Sequence, residues 1–157
     1  MKKKKTILVY GTLRKGMGNH IYLKDAEFLG YVKLTKHKIF VDTLPYLVKT
    51  NSKDDYALCE KYKVTEDEFK NIERLEGFPA FYVRKKIRGS YIYYYKPYYK
   101  IKDGTLVSDY MKYSMLDRIR SLEYYIEQTK YNLQLKEKEL DNSMKTLKKR
   151  YEIEEVI

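Results

Sequence analysis

A chain of 157 residues with 43% hydrophobic and 15% aromatic residues bounds one compact domain, or one domain with an extension, with the material for a core. A single cysteine, Cys59, and two histidines, His20 and His37, exclude an intrachain disulfide framework and argue against a Cys- or His-based metal site. The net charge of +11 invites a nucleic-acid or acidic-ligand reading, but residues 115–157 hold nine basic and nine acidic side chains, so the whole excess belongs to residues 1–114.

Lys2 to Lys5 read as a solvated basic tail. The apolar run behind them, Ile7 to Val9, is too short for a secretory leader, and no stretch approaches the ~18 apolar residues of a membrane span. A cytoplasmic protein without membrane contact is the expectation. Tyrosine is abundant throughout, with 19 Tyr against five Phe and no Trp.

Residues 6–10 read as a first strand, running into Tyr10-Gly11-Thr12-Leu13 and a basic loop punctuated by Gly16 and Gly18. A strand ending in Gly and a hydroxyl residue leaves backbone N–H groups available for a carboxylate or phosphate. Asn19-His20 opens a short helix with Ile21, Leu23 and Phe28 on its apolar side. Residues 26–32 and 38–41 read as two strands, 44–48 as an extended segment with Pro45 at an edge or bulge, and 56–64 as a half-buried strand. Thr65-Glu66-Asp67-Glu68 is a helix start: Thr65 caps, Glu68 completes a capping box, and acids fill the first turn. Phe69, Ile72 and Leu75 form that helix's apolar face, and Gly77 ends it. Strands follow at 82–87 and 91–95, then a turn at 102–105.

From about Ser114 to Tyr151 the character changes. Ile119, Ile126, Leu133, Leu140 and Leu147 recur at sevens, while the position three residues on is filled by Leu122, Thr129, Lys136, Ser143 and Arg150. This predicts one long amphipathic helix over residues 114–157, set apart from a body at 1–113. The helix either packs on its own domain or forms a coiled coil with a copy of itself or a partner.

Val9-Tyr10-Gly11-Thr12-Leu13, followed by Gly16, Asn19 and His20, resembles the opening motif of the gamma-glutamylcyclotransferase-like (AIG2-like) family. Leu75-Glu76-Gly77-Phe78-Pro79-Ala80-Phe81-Tyr82-Val83-Arg84 is similar to the family's second motif. Glu60-x-Tyr62-x-Val64 resembles its central strand, with Cys59 in place of a glycine. Asp109-Tyr110-x-x-Tyr113 resembles its closing motif, with Tyr for Trp. The resemblance spans residues 6–113.

It implies an α+β fold: a small mixed β-barrel with short flanking helices and a cavity at one mouth, here followed by the long helix. It also implies a small gamma-glutamyl substrate, whose α-amine attacks its own γ-carbonyl to give 5-oxoproline and a released amine or amino acid. The gamma-glutamylamine type fits the compact second motif best. Glu76 takes the general acid/base role. Tyr10, Gly11, Thr12 and Leu13 bind substrate, and Tyr82 lines the cavity. No metal or organic cofactor is implied. Such a glutamate works best with a raised pKa, and Leu75, Phe78 and Phe81 are its expected apolar neighbours.

Other residues have plainer readings. Arg14 either favours an anionic substrate or is a solvated loop residue. Asn19 and His20 brace the loop, Arg84 forms an ion pair on the barrel, and Cys59 is a small buried hydrophobe. Tyr91 to Tyr99 with Lys96, Lys100 and Lys102 has the composition of a base-stacking strand, but a tyrosine-alternating core strand explains it more economically, which sets nucleic acid aside. The rival to catalysis is a binding module of the same fold that recruits a partner or itself through the helix.

Overall fold

Ile7, Leu8 and Val9 are all buried because the strand that carries them is covered on both faces. The computed structural model describes residues 4–96 and 103–154, without side chains for 152–154. Its strands are β1 (Lys5–Val9), β2 (Glu27–Thr35), β3 (His37–Val41), β4 (Pro45–Lys49), β5 (Tyr56–Val64), β6 (Tyr82–Ile87), β7 (Ser90–Tyr95) and β8 (Thr105–Val107). A 3-10 turn spans Gly18–Leu23, and the helices are α1 (Glu66–Leu75) and α2 (Tyr110–Glu154). The chain divides into two units, Met1–Ser114 and Met115–Ile157.

Five strands form one sheet in the order β2-β5-β1-β7-β6, and three form another in the order β4-β3-β8. β1 runs antiparallel to β5 and parallel to β7, with Ile7 opposite Tyr91. Alternation along β1 sends Leu8 and Tyr10 to one face, where they pack with Ile39, Val41 and Leu47 of the smaller sheet. Ile7 and Val9 go to the other, where Phe69 and Ile72 of α1 and Leu23 of the 3-10 turn cover them.

The expected barrel does not form. β2 and β6 are the free edges of the five-stranded sheet and do not pair with each other, and the smaller sheet stacks over one face. The core is closed by layering, and the edges carry charged side chains such as Glu27, Lys33, Lys85 and Lys86. Arg88 and Gly89, both at positive φ, make the tight β6–β7 turn.

Several local expectations are revised. The short helix is a 3-10 turn in which Leu23 is buried but Ile21 is 62% exposed. Lys5 is no tail residue: it lies in β1, bonds Glu66 at 2.9 Å and sits over the Phe69 ring. β8 has only three residues, too few for a periodic signal. α2 starts earlier than Ser114 because Asp109 accepts from the Met111 and Lys112 N–H groups, capping a helix that begins at Tyr110. Part of the predicted 102–105 turn, and Tyr98, Tyr99, Lys100 and Lys102 of the tyrosine–lysine run, lie outside the described residues. Among the described residues, no helix is long and apolar enough to cross a membrane.

In the second unit α2 shows its apolar stripe to solvent: Ile119, Ile126, Leu133, Leu140 and Leu147 are each at least half exposed.

Candidate active site

The capping box on α1 forms as its sequence dictates, with the Glu68 N–H donating to Thr65 Oγ1 and the Thr65 N–H donating to Glu68 Oε2. The start of the helix is thereby fixed, and Phe69 and Ile72 take its buried face. Glu76 lies four residues beyond Ile72 and so follows the same stripe inward. The helix must then end. Gly77 sits at φ 58°, its N–H reaches Arg74 O, and the Phe78 N–H reaches Glu73 O, a Schellman termination. A side chain at 77 would be strained by that φ and would meet Phe81 at 2.6 Å. The glycine therefore turns the chain away while leaving Glu76 facing in.

What Glu76 faces is a pocket of about 60 Å³. The end of β1 and its loop supply Tyr10, Gly11, Thr12 and Leu13; β6 supplies Tyr82, and β7 supplies Tyr93. Leu44 and Pro45 close another side. Every site residue expected from sequence therefore lines one cavity. Gly11 is needed for close approach, since a Cβ there would lie 2.6 Å from Pro45 Cγ. Leu44 is placed by its N–H, which donates to Asp42 Oδ1 at 3.0 Å and holds that carboxyl below the usual carboxylate range.

Burial alone pushes the Glu76 carboxyl up to about 7. It has no hydrogen-bond or ion-pair partner among the described residues. A helix C-terminus offers a negative charge no relief either. The apolar surroundings differ from those expected: Phe81 is 61% exposed, and Leu8, Pro45 and the tyrosine rings supply the walls. Burial, then the neighbouring Glu76, raises the hydroxyls of Tyr10 and Tyr82. Burial also raises Tyr93, with Arg84 opposing it. Tyr10 donates to Tyr93 O at 3.0 Å, whereas the buried Tyr93 hydroxyl has no partner. Among the described residues, no carbonyl takes the Gly11, Thr12 or Leu13 N–H groups.

The loop beyond Leu13 is held from behind. Asn19 Nδ2 donates to Thr12 Oγ1 at 2.9 Å, and His20 Nδ1 donates to Leu13 O at 3.0 Å, the bracing role expected of both. Arg14 is neither solvated nor turned to the pocket. It is 2% exposed, its Nε donates to Glu60 Oε1 at 3.2 Å, and its Nη1 donates to Asp109 Oδ1 at 2.6 Å. Burial works against its charge, but Asp109 and Glu60 outweigh it and the guanidinium is raised. Arg84 pairs with Glu73 and sits over the Phe78 ring. Cys59 is fully buried, and burial pushes its thiol up to about 12, consistent with a core residue rather than a nucleophile.

Leu8, Val9, Leu44, Pro45 and Tyr93 are the pocket residues that sequence reasoning did not name as site residues. Tyr93 is one of five aromatic or apolar residues in succession, and nothing within that run singles it out.

Together these features define an α+β domain of two stacked sheets with one partly buried carboxylate in a small pocket. The sequence model described as "Gamma-glutamyl cyclotransferase, AIG2-like" matches residues 7–112, and the chain belongs to that family. The "Putative gamma-glutamylcyclotransferase MJ1514" of Methanocaldococcus jannaschii is 43% identical over 83 residues, covering 52% of this chain and 68% of the relative. The similarly named PH0828 of Pyrococcus horikoshii is 41% identical over 70 residues, covering 45% of this chain and 58% of the relative. The crystal structure of that Pyrococcus protein superposes with a TM-score of 0.54 at 29% identity, over 77% of this chain and 97% of that one. A mouse AIG2-like protein shares the fold, with a TM-score of 0.53 at 22% identity over 68% of this chain and 88% of its own.

Proposed function

We propose that the chain is a cyclotransferase acting on a gamma-glutamyl amine or gamma-glutamyl amino acid, with Glu76 as general acid/base. The observation that carries this reading is a partly buried carboxyl at about 7, without a partner among the described residues, across a small pocket from backbone donors that no described carbonyl takes. A group that titrates near neutrality both accepts and returns a proton readily.

In its ionised form Glu76 takes a proton from the substrate's α-amine as that nitrogen bonds to the γ-carbonyl carbon. The tetrahedral intermediate then collapses: the bond from that carbon to the leaving nitrogen breaks, and Glu76 returns the proton to the departing nitrogen. The products are 5-oxoproline and an amine or amino acid, and Glu76 ends ionised. Because the nucleophile is tethered to its target, positioning and charge stabilisation are most of what the protein supplies. The Gly11, Thr12 and Leu13 N–H groups hold the substrate's carboxylate or the developing oxyanion, one such donor being worth roughly 3 kcal/mol. Tyr10 and Tyr82 shape the walls, and the Tyr93 hydroxyl donates to a substrate oxygen. The test is release of 5-oxoproline from gamma-glutamyl amines and amino acids by the purified chain. Full turnover by a folded Glu76→Gln variant refutes the assigned role.

A second reading concerns the helix. Five apolar side chains at one heptad position, all at least half exposed, fit self-association with a second copy through α2. Light scattering on the full chain should give a dimer that Leu133→Lys disperses. A monomer at all concentrations removes this reading and leaves the first intact.

A further inference from the structure

A second cavity, about 250 Å³, lies within the first unit and shares no lining residue with the Glu76 pocket. Leu13 faces the first cavity; Lys15 and His20 face the second. Its walls are aromatic. The Phe28 ring lies 5.4 Å from that of Tyr62 and 5.3 Å from that of Tyr31, and His20 lies 5.9 Å from Tyr62. Phe28 is 48% exposed and Tyr31 65%, so both rings leave surface open at the cavity.

Its charge is positive. Lys15 and Lys24 both line it, both are exposed, and neither ammonium has a carboxylate partner among the described residues. The one acid in the lining, Glu60, is already satisfied. Oε1 takes Arg14 Nε, and Oε2 takes the Lys15 N–H at 2.8 Å and the Tyr62 hydroxyl at 2.9 Å. The Glu60 charge is already paired with Arg14, which leaves the two lysines to set the sign of the cavity, so the aromatic walls are not a cage for an amine. Flat rings beside two unpaired lysines suit a planar ring that carries an anionic group.

We propose that this cavity is a binding site for a small anion borne on a planar ring, of the nucleoside monophosphate class. The inference does not rest on the cyclotransferase reading, since neither Lys24 nor Phe28 lines the Glu76 pocket. At about 250 Å³ the cavity lies just under the usual range of small-molecule sites, enough for one ring with its phosphate outside at the mouth.

Calorimetric titration of the full chain with adenosine monophosphate, adenosine and inorganic phosphate tests it. The monophosphate should bind at least about tenfold more tightly than either part alone, and Phe28→Ala and Lys24→Ala should each weaken it about tenfold. The Lys24 side chain is exposed, so the melting temperature of that variant should not move. Amide shifts on the wild-type chain should concentrate at residues 15–31 and 60–62, a readout that needs no variant. No binding at about 5 mM overturns the proposal. So does binding no tighter than phosphate or adenosine alone, affinity indifferent to both substitutions, or shifts confined to the Glu76 pocket.

Discussion

Glu60 and Glu76 are carboxylates drawn into the same small unit, one fully engaged and the other left without a partner. Glu60 is 1% exposed and accepts from Arg14, the Lys15 N–H and Tyr62. Glu76 accepts from nothing among the described residues, and burial alone raises it to about 7. The difference separates a charge used to hold a loop from a charge kept available for protons. A carboxylate tied by three donors is fixed in place, whereas an unpaired one in an apolar wall is poised to change state.

The contrast can be broken most severely at Glu76. Glu76→Gln should cut 5-oxoproline release about a thousandfold while the circular dichroism spectrum is unchanged. Glu60→Ala should do the reverse. Leaving Arg14 buried without this partner should cost about 3 kcal/mol or more, seen as a lower denaturation midpoint.

A pH titration of stability sharpens the same point. The Glu76 pKa rises from 4.5 to about 7 on folding, so the folded state binds more protons between those values. Stability should therefore fall as pH rises from about 4.5 to 7, by about 3 kcal/mol in all, and this slope should vanish in Glu76→Gln. The same group predicts that kcat/KM falls as pH drops below about 7, where the base is lost.

Tyr93→Phe is the gentlest test. Removing an unpartnered buried hydroxyl should leave stability level or slightly improved. The proposed loss of one substrate contact should lower kcat/KM about tenfold.

Much of the site was legible in the chain. Thr65 and Glu68 announce α1 and Gly77 its end, whereas Glu76, read alone as a surface residue before that glycine, takes its role only from the resemblance. The resemblance paired that stretch with Tyr10–Leu13, and the two line one pocket. What was illegible depends on distant partners. Arg14 reads as either a contact for an anionic substrate or a solvated loop residue until β5 brings Glu60 beside it and the start of α2 brings Asp109. Ile21 is apolar and regularly spaced, but three residues per turn in a 3-10 segment move it off the buried side. Strand signals alone do not distinguish a closed barrel from two stacked sheets, because both bury alternate residues. Edge charges on β2 and β6 were the available clue.

The Arg14–Asp109 contact bears on how α2 comes to exist at all. The first turn of a helix is the costly one to form, and every later residue needs only elongation. Here that turn is built into the globular core: Asp109, clamped by Arg14, accepts the Met111 and Lys112 N–H groups, while Tyr110 and Tyr113 pack on the apolar interior. Nucleation is thus completed when the body folds, and winding proceeds in one direction from it. The helix should fray from its far end first, with amide exchange slowest beside Tyr113 and fastest beyond Leu147.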